Sequence, residues 1–443
     1  MVRITLFVAL FLIPTALHGQ TLMPTVLPLR EQAEVMDRLL KDRLETVVPM
    51  LMRREGIDMW VIVAREYNED PVIETMLPAT WLAARRRTIL LFFDRGEAGV
   101  ERLAVSRYAV GDAFPGSWSP EDEPDQWKRL ADLIGERNPR QIAVNRSSTF
   151  AHADGMTDTE FEALTAALPA AFRGRIVSAE NLAVGWLETR TEQEMHIYPM
   201  IVRIAHAIIA EGLSERAIQP GVTTTVDLEW WFRERIRSLG LTTWFHPSVS
   251  VQRAEEPDSR SDFSSRPGET TILPGDLVHV DFGITYLRLN TDTQQHAYIL
   301  KPGESDAPAG LKAALAAGNR LQDILTAQFK TGRTGNAMLA AARAQATAEG
   351  LRPSIYTHPI GYHGHAAGPA IGMWDSQGGV PGTGDFPLHP NTAYSIELNT
   401  TVAIPEWSKD VRVMLEEDAF FDGAAVRYID GRQTALWLVP RGQ

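Results

Sequence analysis

The chain has 443 residues, 44% hydrophobic and 22% charged, which is enough for two globular domains with their own cores. A formal charge of -13 gives no electrostatic reason to expect nucleic acid or an anionic membrane as partner. The absence of cysteine excludes disulfides and thiolate ligands, so any metal must be held by oxygen and nitrogen.

Residues 1–19 carry Arg3, an apolar run from Ile4 to Leu17, and then His18-Gly19. That is the layout of a cleaved secretory signal, and it predicts an exported protein, secreted or periplasmic, with no membrane association after cleavage. The competing reading is a retained anchor, because the residues before the cut are not Ala-x-Ala. Helical periodicity follows from Leu29 to Arg54, closed by Gly56. Strand-like runs at Met59–Ala64, Thr88–Phe93, Arg102–Ser106, Gln141–Asn145 and Arg175–Ser178 alternate with helical patterns at Pro124–Ile134 and Thr157–Leu168. This alternation predicts an α/β domain over residues 20–185 with a parallel or mixed sheet. Arg85-Arg86-Arg87 reads most simply as a solvated charge run.

Near Trp186 the pattern changes. Two helices, Thr191–Gly212 and Thr223–Leu239, precede strand signals at Thr243–Val251. The order then recurs, with helices at Ala309–Lys330 and Asn336–Ala348 before extended chain. Two helix-helix-strand units in succession predict an internal duplication over residues 186–443, with a site where the halves meet.

Chemistry-bearing residues concentrate in this second part. Leu277 to Phe282 reads as a strand carrying Asp281, and Asp292 follows eleven residues later, so the two acids could face each other across a hairpin. Alone, the pair reads more simply as two solvated acids on a hairpin. Further on, Thr357-His358-Pro359-Ile360-Gly361-Tyr362-His363-Gly364-His365 packs three histidines into one short stretch, and Glu397 and Glu416 each stand in or beside a strand-like run. Asp, Asp, His, Glu, Glu in that order is an oxygen and nitrogen ligand set suited to two divalent ions.

The order and spacing resemble the pita-bread metallopeptidases (aminopeptidase P, prolidase, methionine aminopeptidase and their non-peptidase relative creatinase), over roughly Trp186 to Gly423. The preceding α/β domain resembles the amino-terminal domain of the aminopeptidase P, prolidase and creatinase branch. The fold implied is therefore an α/β creatinase-like amino-terminal domain plus an α+β pita-bread catalytic domain. The resemblance further implies a hydrolase of the Xaa-Pro peptidase type, with Asp281 on one ion, His358 and Glu397 on the other, and Asp292 and Glu416 bridging. A water shared by two cations would ionise near neutral pH, with Glu397 accepting its proton and His365 steadying the oxyanion. Oxygen-rich ligation inclines to manganese, with iron, cobalt or zinc as alternatives. Relatives with this amino-terminal domain are commonly dimers.

Several positions depart from the family pattern. Thr357 stands where glycine often precedes the metal histidine, so a second alignment would make His365 the ligand in place of His358. The upstream histidine expected near Ser264 is absent, Thr293-Gln294-Gln295 replaces the usual Thr-Arg, and Met414 occupies the position of an arginine, leaving Arg412 as a substitute. These changes touch substrate recognition, and they keep open a creatinase-like substrate or a binding module without catalysis. Glu255–Gly268 and Met373–Pro390, with Trp374 and His389, are either entrance contacts or ordinary surface loop.

Overall fold

A computed structural model describes residues 23–255 and 268–441. The signal-like segment and Ser264 lie outside them. The amino-terminal half runs α1 (Leu29–Glu55), β1 (Met59–Arg65), α2 (Pro71–Met76), β2 (Arg87–Asp94), β3 (Val100–Ala104), α3 (Gln126–Arg137), β4 (Ile142–Val144), α4 (Asp158–Ala167), α5 (Ala170–Arg173), β5 (Ile176–Ser178) and α6 (Glu180–Glu188). Its five strands form one mixed sheet in the order β3-β2-β1-β4-β5, antiparallel on one side of β1 and parallel on the other. β1 is buried from Met59 to Ala64, and both of its faces are covered by apolar residues, as expected of a near-continuous hydrophobic strand. The helix expected to end at Gly56 does so: Gly56 has φ 68° and returns its N–H to the last turn.

The Arg85–Arg87 run is less solvated than its composition suggests. Arg87 Nε lies 3.1 Å from Glu160, a nearly buried acid that also meets Arg65, and Arg85 stacks over Trp81. Apolar ring faces and a buried carboxylate at the sheet entrance give these cations partners that sequence alone does not reveal.

The second half follows as α7 (Glu192–Gly212), α8 (Thr225–Ser238), β6 (Ser248–Gln252), β7 (Leu277–Phe282), the short hairpin β8 (Thr285–Tyr286) and β9 (Leu289–Asn290), and β10 (Thr293–Ile299). The remaining elements are α9 (Ala309–Thr326), α10 (Gly335–Ala348), β11 (Pro353–Ile355), β12 (His358–Pro359), β13 (Thr392–Ser395), β14 (Leu398–Ile404), β15 (Lys409–Leu415), β16 (Asp418–Phe421), β17 (Val426–Tyr428) and β18 (Trp437–Val439). The sheets β18-β10-β7-β6, β11-β14-β15 and β12-β13-β16-β17 stand against the two helix pairs.

The duplication is visible in the joints. Gly221 and Gly332, with φ 82° and 81°, each turn the chain before a threonine cap, Thr224 for α8 and Thr334 for α10. Their N–H groups donate to Ile272 and Leu388, and the two caps bridge Thr271 and Pro387. Each helix pair is therefore pinned the same way to the segment that leads into its sheet. Among the described residues no helix is long and apolar enough to cross a membrane.

Candidate functional site

β7 and β10 pair antiparallel, with Asp281 opposite Gln294 and Phe282 opposite Thr293. Asp292 sits just before β10, so the hairpin folds both acids to one end of the sheet. β12 lies against β13 with His358 opposite Ser395, which brings the histidine to the residues before Glu397. Glu416 follows β15 and bridges to Gln294. Four chain segments from both halves thus end at one point.

There the ligand atoms cluster. Ligand atoms of Asp281, Asp292 and Glu416 lie within 4.8 Å of one another, as do those of His358, Glu397 and Glu416, and those of Asp292, His358 and His365, carboxylate oxygens and imidazole nitrogens alike. His358 Nε2 is 3.3 Å from Glu416, 3.6 Å from Asp292 and 3.9 Å from Glu397. His358 Nδ1 lies 3.0 Å from the Pro359 carbonyl, an acceptor that orients the ring and leaves Nε2 toward the acids. The five residues picked out in the sequence for a metal set are therefore brought together.

Their electrostatics is unfavourable as it stands. Burial first, and then the charge of Glu416, pushes the carboxyls of Asp281, Asp292 and Glu397 well above the usual range. Burial alone would lower the His358 pKa, but the nearby Glu416 and Glu397 carboxylates outweigh it and lift it to about 9. Asp281 Oδ1, Asp292 Oδ1 and His358 Nε2 are buried with no hydrogen-bond partner. Lone pairs left unpaired among mutually repelling acids are what a divalent cation satisfies, so these residues fit such an ion.

Other contacts were not foreseen from sequence. Gln294 Nε2 donates to Glu397 at 2.5 Å and to Glu416 at 2.7 Å, while its oxygen faces His279 Nε2 at 2.9 Å. Ser395 Oγ donates to Glu416, Thr357 Oγ1 to the Glu397 carbonyl, and the Asp292 N–H to Asp418. For Gln294 the sequence did carry a signal, since Asp292, Gln294 and His296 alternate at strand period and so share a face. Ser395 and Thr357 had none.

His365 is more exposed than His358, and its ring lies edge-on to that of His358 at 4.6 Å and near Trp244 at 5.0 Å. Burial, and then the His358 charge, lowers its pKa to about 4. It lines a cavity of about 560 Å³ that also takes in Glu74, Thr75 and His152 of the amino-terminal half. Arg412 reaches the Met414 sulfur and is near enough to bear on His279 and Tyr356. Trp374 is 45% exposed and does not line the cavity beside His365, nor does His389, which packs near Phe386.

Compared with known proteins, the chain matches the family model of metallopeptidase family M24 over residues 201–428. Among solved structures, an X-Pro aminopeptidase from Thermotoga maritima MSB8 aligns with TM-score 0.61 at 18% identity, covering 88% of this chain and 100% of that one. An Xaa-Pro dipeptidase from Bacillus anthracis aligns at 0.57 and 18%, covering 93% and 100%. A prolidase from Thermococcus sibiricus aligns at 0.56 and 14%, covering 90% and 99%. No curated protein matches. At such identities the structural likeness speaks for the fold, an amino-terminal domain followed by a mixed α/β catalytic domain.

Proposed function

Because the chain belongs to metallopeptidase family M24, we propose that it is an exported Xaa-Pro-type peptidase that works with two divalent ions, manganese first among the candidates. The observation that carries this reading is the convergence of Asp281, Asp292, His358, Glu397 and Glu416 with three of their ligand atoms buried and unpaired. Asp281 would hold one ion and His358 with Glu397 the other, with Asp292 and Glu416 shared between them. Ions bound there supply Lewis acidity that makes a water nucleophilic near neutral pH and polarises a carbonyl.

The remaining work falls to side chains. Glu397, steadied by Gln294, takes the proton from the attacking water and returns it to the leaving amine. His365, neutral at pH 7, donates a hydrogen bond to the carbonyl oxygen as charge develops on it. Gln294, Ser395 and Thr357 hold the acids in place so that little reorganisation is needed during reaction.

A second reading keeps the hydrolysis and changes the substrate. Met414 is buried where the resemblance expects an arginine, and Arg412 turns to its sulfur, which favours a non-peptide amide or amidine in the manner of creatinase. Metal analysis of gently purified protein, combined with a screen of Xaa-Pro di- and tripeptides against small amides, separates the two. Two equivalents of metal with proline-dependent cleavage supports the first reading. Metal-dependent turnover confined to small amides supports the second, and a protein without metal or turnover refutes both.

A further inference from the structure

Arg288 brings a guanidinium to the lining of the cavity beside His365. The β8–β9 hairpin turns through Leu287 and Arg288, whose φ values of 53° and 67° lie in the left-handed region that side chains avoid. A two-residue hairpin loop requires such values at both central positions, and the turn presents the Arg288 side chain. Here Arg288 Nη1 donates to the Leu77 carbonyl of the amino-terminal half at 2.8 Å, which fixes the guanidinium. Among the described residues this is its only hydrogen bond, and no carboxylate lies within ion-pair distance. A guanidinium has five N–H donors, so most of this one's capacity is unused. Burial pushes its pKa down, and the charge of Asp37 only partly offsets that cost.

A second group points the same way. His363 lines the same cavity, and its Nδ1 is buried with no hydrogen-bond partner among the described residues. Its ring packs 4.5 Å from that of His152. Glu74 lines the same cavity from α2, so an anion there must sit toward Arg288 and away from that carboxylate.

We propose that Arg288 and His363 form a subsite for the carboxyl-terminal carboxylate of a short peptide substrate, held across the cavity while its scissile bond lies at the acid cluster. The inference rests on the peptidase reading, because the carboxyl terminus is the anionic group that every short peptide carries. A cavity of about 560 Å³ is in the range of small-ligand pockets. It would place the carboxylate beyond the residue that follows the scissile bond, so tripeptides fit better than dipeptides.

The test compares Ala-Pro-Ala with its carboxyl-terminal amide on the metal-loaded full chain and on Arg288→Met, Arg288→Lys and His363→Leu. The native protein should prefer the free acid in kcat/KM by at least about tenfold, the scale of a charge-assisted hydrogen bond. Arg288→Met should bring the ratio to within about twofold, with Arg288→Lys in between. If Arg288→Met does not fold, His363→Leu reads the same ratio. Equal cleavage of acid and amide by the native protein, or an unchanged ratio in a folded variant, overturns the subsite while the peptidase reading stands. If neither peptide is cleaved, that reading fails, and calorimetric binding of both peptides to the metal-free full chain decides the subsite. Tighter binding of the acid that is lost in Arg288→Met supports it, and equal or undetectable binding refutes it.

Discussion

At the residue scale the sharpest question is the division of labour between His358 and His365, whose rings touch although one belongs to two of the candidate ligand groups and the other to one. His358→Ala should lose bound metal. His365→Ala should keep its metal and lose turnover by about 10² or more. Metal analysis alongside kcat checks both, and the reverse pattern would make His365 the ligand. In the amino-terminal half, Asp70 caps α2 by accepting from the Val72 and Ile73 N–H groups, and burial lifts its pKa to about 6 despite those bonds and that of Asn145. A raised folded pKa means the contribution is complete below the unfolded value near 3.8 and is lost as pH climbs through 6. Asp70→Asn keeps a capping oxygen and removes the charge. Between pH 4 and 7 its denaturant stability should therefore fall less than that of the native protein, by up to about 3 kcal/mol.

At the element scale, the loop that carries the histidines depends on a close approach. A Cβ on Gly364 would sit 2.2 Å from the Trp244 ring, whose N–H donates to the Thr291 carbonyl next to Asp292. Gly364→Ala should therefore displace Trp244 or the loop and lower kcat/KM, with a stability loss of about 1–3 kcal/mol from overpacking. Kinetics and chemical denaturation on one variant read both effects. The repeated joints at Gly221–Thr224 and Gly332–Thr334 show how two helix pairs with little sequence identity are held alike. Backbone donors and threonine caps carry that likeness, and sequence comparison weighs them lightly.

At the scale of the whole molecule, two halves share one buried ionic joint. Arg43 of α1 bonds Glu194 of α7 at 2.8 Å and the carbonyls of Thr189 and Trp186, while Arg190 meets the other Glu194 oxygen. Both arginines lie over Tyr362, the residue before His363. Arg43→Ala leaves a buried carboxylate short of a partner and should cost about 3–5 kcal/mol. Calorimetry would check it, and a loss below 1 kcal/mol would show that Arg190 alone suffices. Chelation should also destabilise the fold, because cations that bind only the native acid cluster stabilise by about 2.7 kcal/mol at a hundredfold excess over Kd. A melting temperature unmoved by chelation of metal-loaded protein would contradict that.

How much of this was legible beforehand follows from what each signal depends on. Period and punctuation set the helices ending at Gly56 and Gly212, the strand around Asp281 and the doubled helix-helix-strand order, because local backbone preference decides those. The order Asp281, Asp292, His358, Glu397, Glu416 carried the family and its ligand types, since a polar set of that spacing has few other uses. Only the tertiary structure decided that Gln294 grips two of those acids, that Arg87 meets a buried glutamate, and that Arg288 and His363 share a cavity with His365. Those relations join residues up to 122 positions apart, or turn on a side chain's direction, and such contacts form only when the sheets have closed around them.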